Sequence, residues 1–96
     1  MNVRGFVLSS GLEIVGTVHV RTNTYVLLDK ALAVTTKPNN LGDMILLLNP
    51  ITWVSTEPPS ELRLNLCKTQ YMCEYTPNKE LMDAYTEHTS GLSLAH

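Results

Sequence analysis

Residues 8–18 read LSSGLEIVGTV. Gly11 follows a pair of serines, and Gly16 stands inside an apolar run. A glycine in mid-strand has no side chain to pack and loses more backbone entropy on folding than any other residue. Its presence at position 16 needs a physical reason, and that reason decides the fold.

Around it the pattern is that of strands. Residues 5–9 (GFVLS) are a short apolar run, and Ser10-Gly11 is a turn signal, since glycine accepts positive φ. From Leu12 to Arg21 the chain alternates. Leu12, Ile14, Gly16, Val18 and Val20 fall on one face; Glu13, Val15, Thr17, His19 and Arg21 fall on the other. Thr22-Asn23 makes the next turn. Residues 24–36 (TYVLLDKALAVTT) form another apolar-rich strand, interrupted at Asp29-Lys30, where a bulge would shift its phase. Residues 37–43 (KPNNLGD) read as a loop.

Residues 44–55 (MILLLNPITWVS) are apolar and must end, bend or lie on an edge at Pro50, which cannot donate to a ladder. Residues 57–61 (EPPSE) are a turn or a short polyproline linker, and Trp53 covers the barrel's mouth, meets a neighbour or is half-buried core. Leu62, Leu64 and Leu66 alternate with Arg63 and Asn65 as a short strand. Residues 66–70 turn, and residues 71–75 (YMCEY) are a last strand. Thr76-Pro77 reads as a helix start, with threonine at the N-cap and proline first in the helix. Leu81, Met82, Tyr85 and His88 recur at helical spacing, as a stripe that packs on the chain's own sheet or docks a partner, and Gly91 is the stop signal.

The expected architecture is therefore one domain, mainly β: five or six short strands over residues 1–75, a helix over 76–90 and a tail over 91–96. A chain of 96 residues has no room for two cores. A flat five-stranded sheet cannot be covered on both faces by so short a chain, so the sheet must bend until it nearly closes on itself. Sharp bending brings backbone against backbone at the inner corner, where a side chain would clash. Gly16, on the inward face, is read as the kink of a small, strongly bent barrel.

LSSGLEIVGTV followed by a turn and YVLLDKALAV (residues 25–34) resembles the first signature of the Sm/LSm family, which includes Hfq. Residues 62–75 are weakly similar to its second signature. The combination of SSGLEIVG with the C-terminal ELMDAY…TSGL is also similar to small Sm-like proteins of tailed phages of marine bacteria. The resemblance implies a barrel-like sheet and a ring of identical subunits joined by edge-strand pairing, with RNA as a ligand. Family members that bind RNA carry an aspartate, an aromatic or apolar residue and an asparagine between their second and third strands. Here that loop reads Arg21-Thr22-Asn23-Thr24-Tyr25, with similar chemistry at a different spacing. The family's second Arg-Gly is absent, and Asn65 and Lys68 lie near the corresponding turn. Arg21, Asn23, Tyr25, Asn65 and Lys68 are therefore the candidate RNA-binding residues, since asparagine can bond a base edge and tyrosine can stack on one. Each also has a plain alternative as a polar turn residue or a packed tyrosine.

Charge argues for a small local site at most. Net charge is −2, and only 17% of residues are charged, whereas binding by general electrostatics needs clustered lysine and arginine. Sparse charge also favours self-association. Metal and cofactor chemistry are not expected: His19, His88 and His96 are scattered, and Cys67 and Cys73 lack the spacing of a zinc knuckle. Cys67 and Cys73, six apart on an extended segment, would have Cα atoms roughly 20 Å apart, beyond disulfide reach. No nucleophile elbow or phosphate-cradling loop occurs, and Ser9-Ser10-Gly11 is a turn, so no enzymatic activity is expected. The sequence contains no signal-peptide pattern and no twenty-residue apolar span, which points to a cytoplasmic protein, in the host's cytoplasm if phage-encoded. Two functions stay open: a ring that binds or chaperones RNA, and an architectural or adaptor ring that binds other proteins without nucleic acid.

Overall fold

A computed structural model describes residues 2–49, 51, 61–65 and 71–94. The described chain is an antiparallel sheet followed by one helix. Strand β1 is Val3–Leu8, β2 Glu13–Arg21, β3 Tyr25–Pro38, β4 Met44–Asn49, β5 Glu61–Asn65 and β6 Tyr71–Tyr75; helix α1 is Lys79–Leu94. The strands hydrogen-bond in the order β4-β3-β2-β1-β6, and β5 pairs with β3. The 14-residue β3 is shared end to end: its first half carries β5 and its last half carries β4.

Alternating side chains feed two apolar clusters. The first holds Phe6, Leu8, Ile14, Val26, Leu28, Ala31, Ala33, Ile51, Leu62 and Leu64, with Leu12 and Val18 against it. The second holds Val3, Val15, Leu32, Val34, Leu81 and Tyr85. Helix α1 thus covers one face of the sheet, and Ile14 and Val15, adjacent in sequence, are buried on opposite faces.

Strand β3 changes phase within itself. Val26 and Leu28 point to the first cluster, but so do Ala31 and Ala33. One extra residue must therefore intervene, and the register places it there: Val15 pairs with Leu32, but Thr17 pairs with Asp29. Lys30 takes it up with a left-handed φ of 53°. The interruption expected at Asp29-Lys30 is this bulge.

Gly16 lies opposite it. A Cβ at Gly16 would stand 3.2 Å from Leu28 Cβ, 3.3 Å from Ala31 Cα and 3.4 Å from the Asp29 carbonyl oxygen. The approach is close: a Cβ here would be tighter than most real contacts, and β3 would have to give by a few tenths of an ångström to admit it. Gly5 makes an approach that the reading missed. It pairs with Tyr75 across β1 and β6, and the phenol ring lies over its Cα, in the space a Cβ would take.

Strand β4 ends at Asn49, just before Pro50, one of the outcomes read for that proline. Other boundaries differ from those read in the sequence. Strand β1 opens at Val3, and β3 runs on to Pro38, so the loop starts at Asn39. The helix cap is Asn78, not Thr76: Asn78 Oδ1 accepts from the Leu81 amide at 2.9 Å and its carbonyl accepts from the Met82 amide at 2.9 Å. Asparagine is among the strongest cap residues, and the Thr76 hydroxyl is already engaged by Arg4 Nη1 at 2.5 Å. The helix also passes through Gly91 to Leu94; one glycine costs a helix only about 1 kcal/mol. A second register shift, between Val18 and Val20, puts Val20 opposite Leu27 and Arg21 opposite Val26. Val20 therefore falls out of step with the inner row, and Arg21 leaves the outer row assigned to it by simple alternation.

Gly16→Ala should cost about 1–3 kcal/mol in urea unfolding, the usual penalty for forcing atoms into a filled site. Gly5→Ala should be strongly non-additive with Tyr75→Ala in a double-mutant cycle, because the tyrosine ring is what the new methyl meets. Asn78→Ala should cost about 1 kcal/mol, while Thr76→Ala should leave helix content unchanged by circular dichroism.

Candidate functional site

Of the five candidate residues, the structure brings Tyr25 and Asn65 together as direct cross-strand partners on β3 and β5. Arg63, two residues before Asn65 and on the same exposed face, completes the group. Its guanidinium lies 4.0 Å from the centroid of the Tyr25 ring, and its Nε donates to Asn65 Oδ1 at 3.3 Å. Leu62 and Leu64, between these residues, point into the first core cluster and hold β5 in place. The patch is thus a half-buried phenol, an exposed guanidinium stacked on it and an amide fixed by that guanidinium. A guanidinium plane and an aromatic ring stack on nucleobases, and an amide bonds base edges.

The β2–β3 turn stands at the same end of β3. Thr22 Oγ1 accepts from the Thr24 and Tyr25 amides at 3.2 and 3.1 Å, and the Thr22 amide donates to the Tyr25 carbonyl at 2.9 Å. These bonds leave Asn23 exposed at the tip of a fixed turn. Lys68 lies outside the described residues, as do Trp53, Pro58-Pro59, Cys67 and His96.

Arg21 is engaged elsewhere. Its Nη1 and Nη2 donate to the two carboxylate oxygens of Glu74, at 3.1 and 2.8 Å, while Arg4 Nε donates to Glu74 Oε2 at 2.5 Å. The register shift in β2 makes this possible by setting Arg21 opposite Val26. Burial alone would push the Glu74 carboxyl up. The hydrogen bonds and charges of Arg21 and Arg4 outweigh that and hold it below the ordinary glutamate value. Two of the chain's cations are therefore balanced internally by one carboxylate.

On the helix-facing side of the sheet, Tyr75 donates to Glu13 Oε2. Burial, and then the accepting carboxylate, push its phenol pKa up. Tyr85 shares a hydrogen bond with Thr17 Oγ1 at 2.9 Å and donates toward the carbonyls of Lys30, at 3.1 Å, and Asp29, at 3.3 Å. These tyrosines join elements and are not poised for proton transfer to a ligand. His19 is exposed, 3.9 Å from Glu61, and Cys73 carries an exposed free thiol. Among the described residues, no group of three or more His, Cys, Asp or Glu side chains could hold a metal ion. No described helix is long and apolar enough to cross a membrane.

Arg63 is the member of the patch that the sequence reading passed over. The available signal was its place between Leu62 and Leu64, which fixed its face, but the partner on that face comes from a strand some forty residues earlier. Comparison with models of known protein families finds no match, and comparison with curated proteins finds none.

Because Glu74 titrates lower folded than unfolded, its ion cluster stabilises the protein fully above about pH 4–5 and stops doing so as pH falls through the folded value. Glu74→Gln should cost about 2 kcal/mol at pH 7, as expected for lost charge-assisted hydrogen bonds. The urea midpoints of wild type and variant should converge below pH 4; parallel curves would mean that Glu74 is not the titrating group.

Proposed function

We propose that this chain is an Sm-like, ring-forming protein that binds single-stranded RNA through Tyr25, Arg63 and Asn65, with Asn23 at the edge of the site. The observation that carries the reading is the stack of Arg63 on Tyr25 beside Asn65 on an exposed face. Base stacking on such a platform is worth about 1–3 kcal/mol per base and tolerates different sequences. With Arg4 and Arg21 both drawn to Glu74, the site depends on stacking and amide contacts more than on phosphate attraction.

Closure of the sheet into a barrel is part of the same reading. Gly16, the Lys30 bulge and the second register shift in β2 all favour curvature. Phe6, Ile14, Val26 and Leu28 are fully buried on the face away from the helix, which a curled sheet would cover with its own strands. Ring assembly follows from the edges. Strands β4 and β6 end the hydrogen-bonded order, and β4 is half-exposed along its apolar Ile45–Leu48 stretch. An apolar edge of this kind invites a strand from another copy.

The second reading is an adaptor ring that binds protein and no nucleic acid. The net charge of −2 and the internal balancing of Arg4 and Arg21 favour it.

Fluorescence titration of labelled oligo-U, oligo-A and mixed RNA at two salt concentrations separates the two. On the RNA reading, Tyr25→Ala and Arg63→Ala each weaken binding about 5- to 100-fold, the range set by losing one stacked base, and added salt weakens it only modestly. Absence of wild-type binding at tens of micromolar leaves the adaptor reading. A solution mass equal to a single chain overturns the ring in both.

A further inference from the structure

The Arg63 guanidinium is held from two sides. Its central carbon lies over the Tyr25 ring, 4.0 Å from the centroid, and Nε is committed to Asn65 Oδ1 at 3.3 Å. Nε can only donate, so the oxygen of the Asn65 amide must be the atom turned toward it. The two terminal amino groups, Nη1 and Nη2, have no carboxylate partner among the described residues. They form the end of a planar fork, two parallel N–H donors on an exposed side chain. A fork already held in position loses little rotamer freedom when it binds.

Its surroundings decide which pair of acceptors suits it. Glu61 and Arg63 stand two apart on β5 and share a face, and Asp29 is the direct partner of Glu61 across the ladder. Glu61 approaches His19, at 3.9 Å, and makes no ion pair with Arg63. Two carboxylates on the face that carries the guanidinium disfavour a phosphate or an acidic side chain as its ligand, so a neutral pair of acceptors is preferred. Guanine offers such a pair, N7 beside O6. Adenine places a donor, its N6 amino group, next to N7.

Resting on the RNA reading above, we propose that Arg63 selects guanine over adenine in single-stranded RNA, with Nη1 and Nη2 donating to guanine N7 and O6. Tyr25 and Asn65 hold the fork in position, in addition to the stacking and amide contacts that set the general affinity. The donor-only end of the fork would meet the adenine amino group as donor against donor, so the two purines stack alike but only guanine is bonded at both atoms.

Fluorescence competition on the wild-type full chain tests this, comparing an oligo-A strand with the same strand carrying one central guanosine, inosine or 7-deazaguanosine. Guanosine should tighten binding about 5- to 100-fold, the range of one bidentate base contact. Inosine keeps N7 and O6 and should match guanosine. 7-Deazaguanosine lacks N7 and should fall most of the way back to oligo-A. These comparisons use no variant, so they do not depend on how a substitution folds. Arg63→Lys keeps the charge but loses the planar fork, and should erase the difference between the strands. Equal affinity for all four strands overturns the guanine preference and leaves the RNA reading standing, as does a preference that survives 7-deazaguanosine or Arg63→Lys. Failure of every strand to bind at tens of micromolar overturns both and leaves the fork to a protein partner.

Discussion

The structure turns on one close crossing. At Gly16 the β2 backbone meets the bulged backbone of β3 with no side chain between them. The bulge itself puts Lys30 in a left-handed conformation that a non-glycine residue adopts at some cost. What offsets that cost lies on the other face, where Tyr85 of α1 donates toward the Lys30 and Asp29 carbonyls and shares a hydrogen bond with Thr17 of β2. One hydroxyl thus ties both bent strands to the helix. Burial raises the phenol pKa, so the group stays protonated and keeps its donor across the physiological range.

Much of this was legible in the sequence because it is local. The phase break at Asp29-Lys30 shows in the hydrophobic order of a single strand, and Gly16 stands out against its β-branched neighbours. The turn at Ser10-Gly11 follows from residue chemistry, and Gly11 takes a φ of 90° there. What the sequence did not show depends on pairings between distant residues. Gly5 needs its bareness for the Tyr75 ring, 70 positions away. Arg21 lost its expected place because a shift of one residue in β2 turned it toward Glu74. The cap moved from Thr76 to Asn78 because an arginine from β1 had taken up the threonine hydroxyl. Three good helix-start residues stood in a row, and only the third dimension chose among them.

The candidate site shows the same division. Tyr25 and Asn65 were readable as chemistry, and their pairing emerged from β3 and β5 sharing a ladder. Arg63 was hidden by its company, two leucines that made the segment look purely structural. Charge behaved in the opposite way: the small net value was plain from composition, yet which cations were balanced within the fold could not be counted until Glu74 was seen between Arg4 and Arg21.

The pairing of β1 with β6 has a consequence for biosynthesis. Gly5 and Phe6 stand opposite Tyr75 and Glu74 in the ladder, so the first strand cannot complete its pairing until about seventy more residues have left the ribosome. Such high contact order slows folding. Until then the border of β1 that β6 covers stays open, so factors that shield emerging polypeptides have their longest opportunity at the amino-terminal strand.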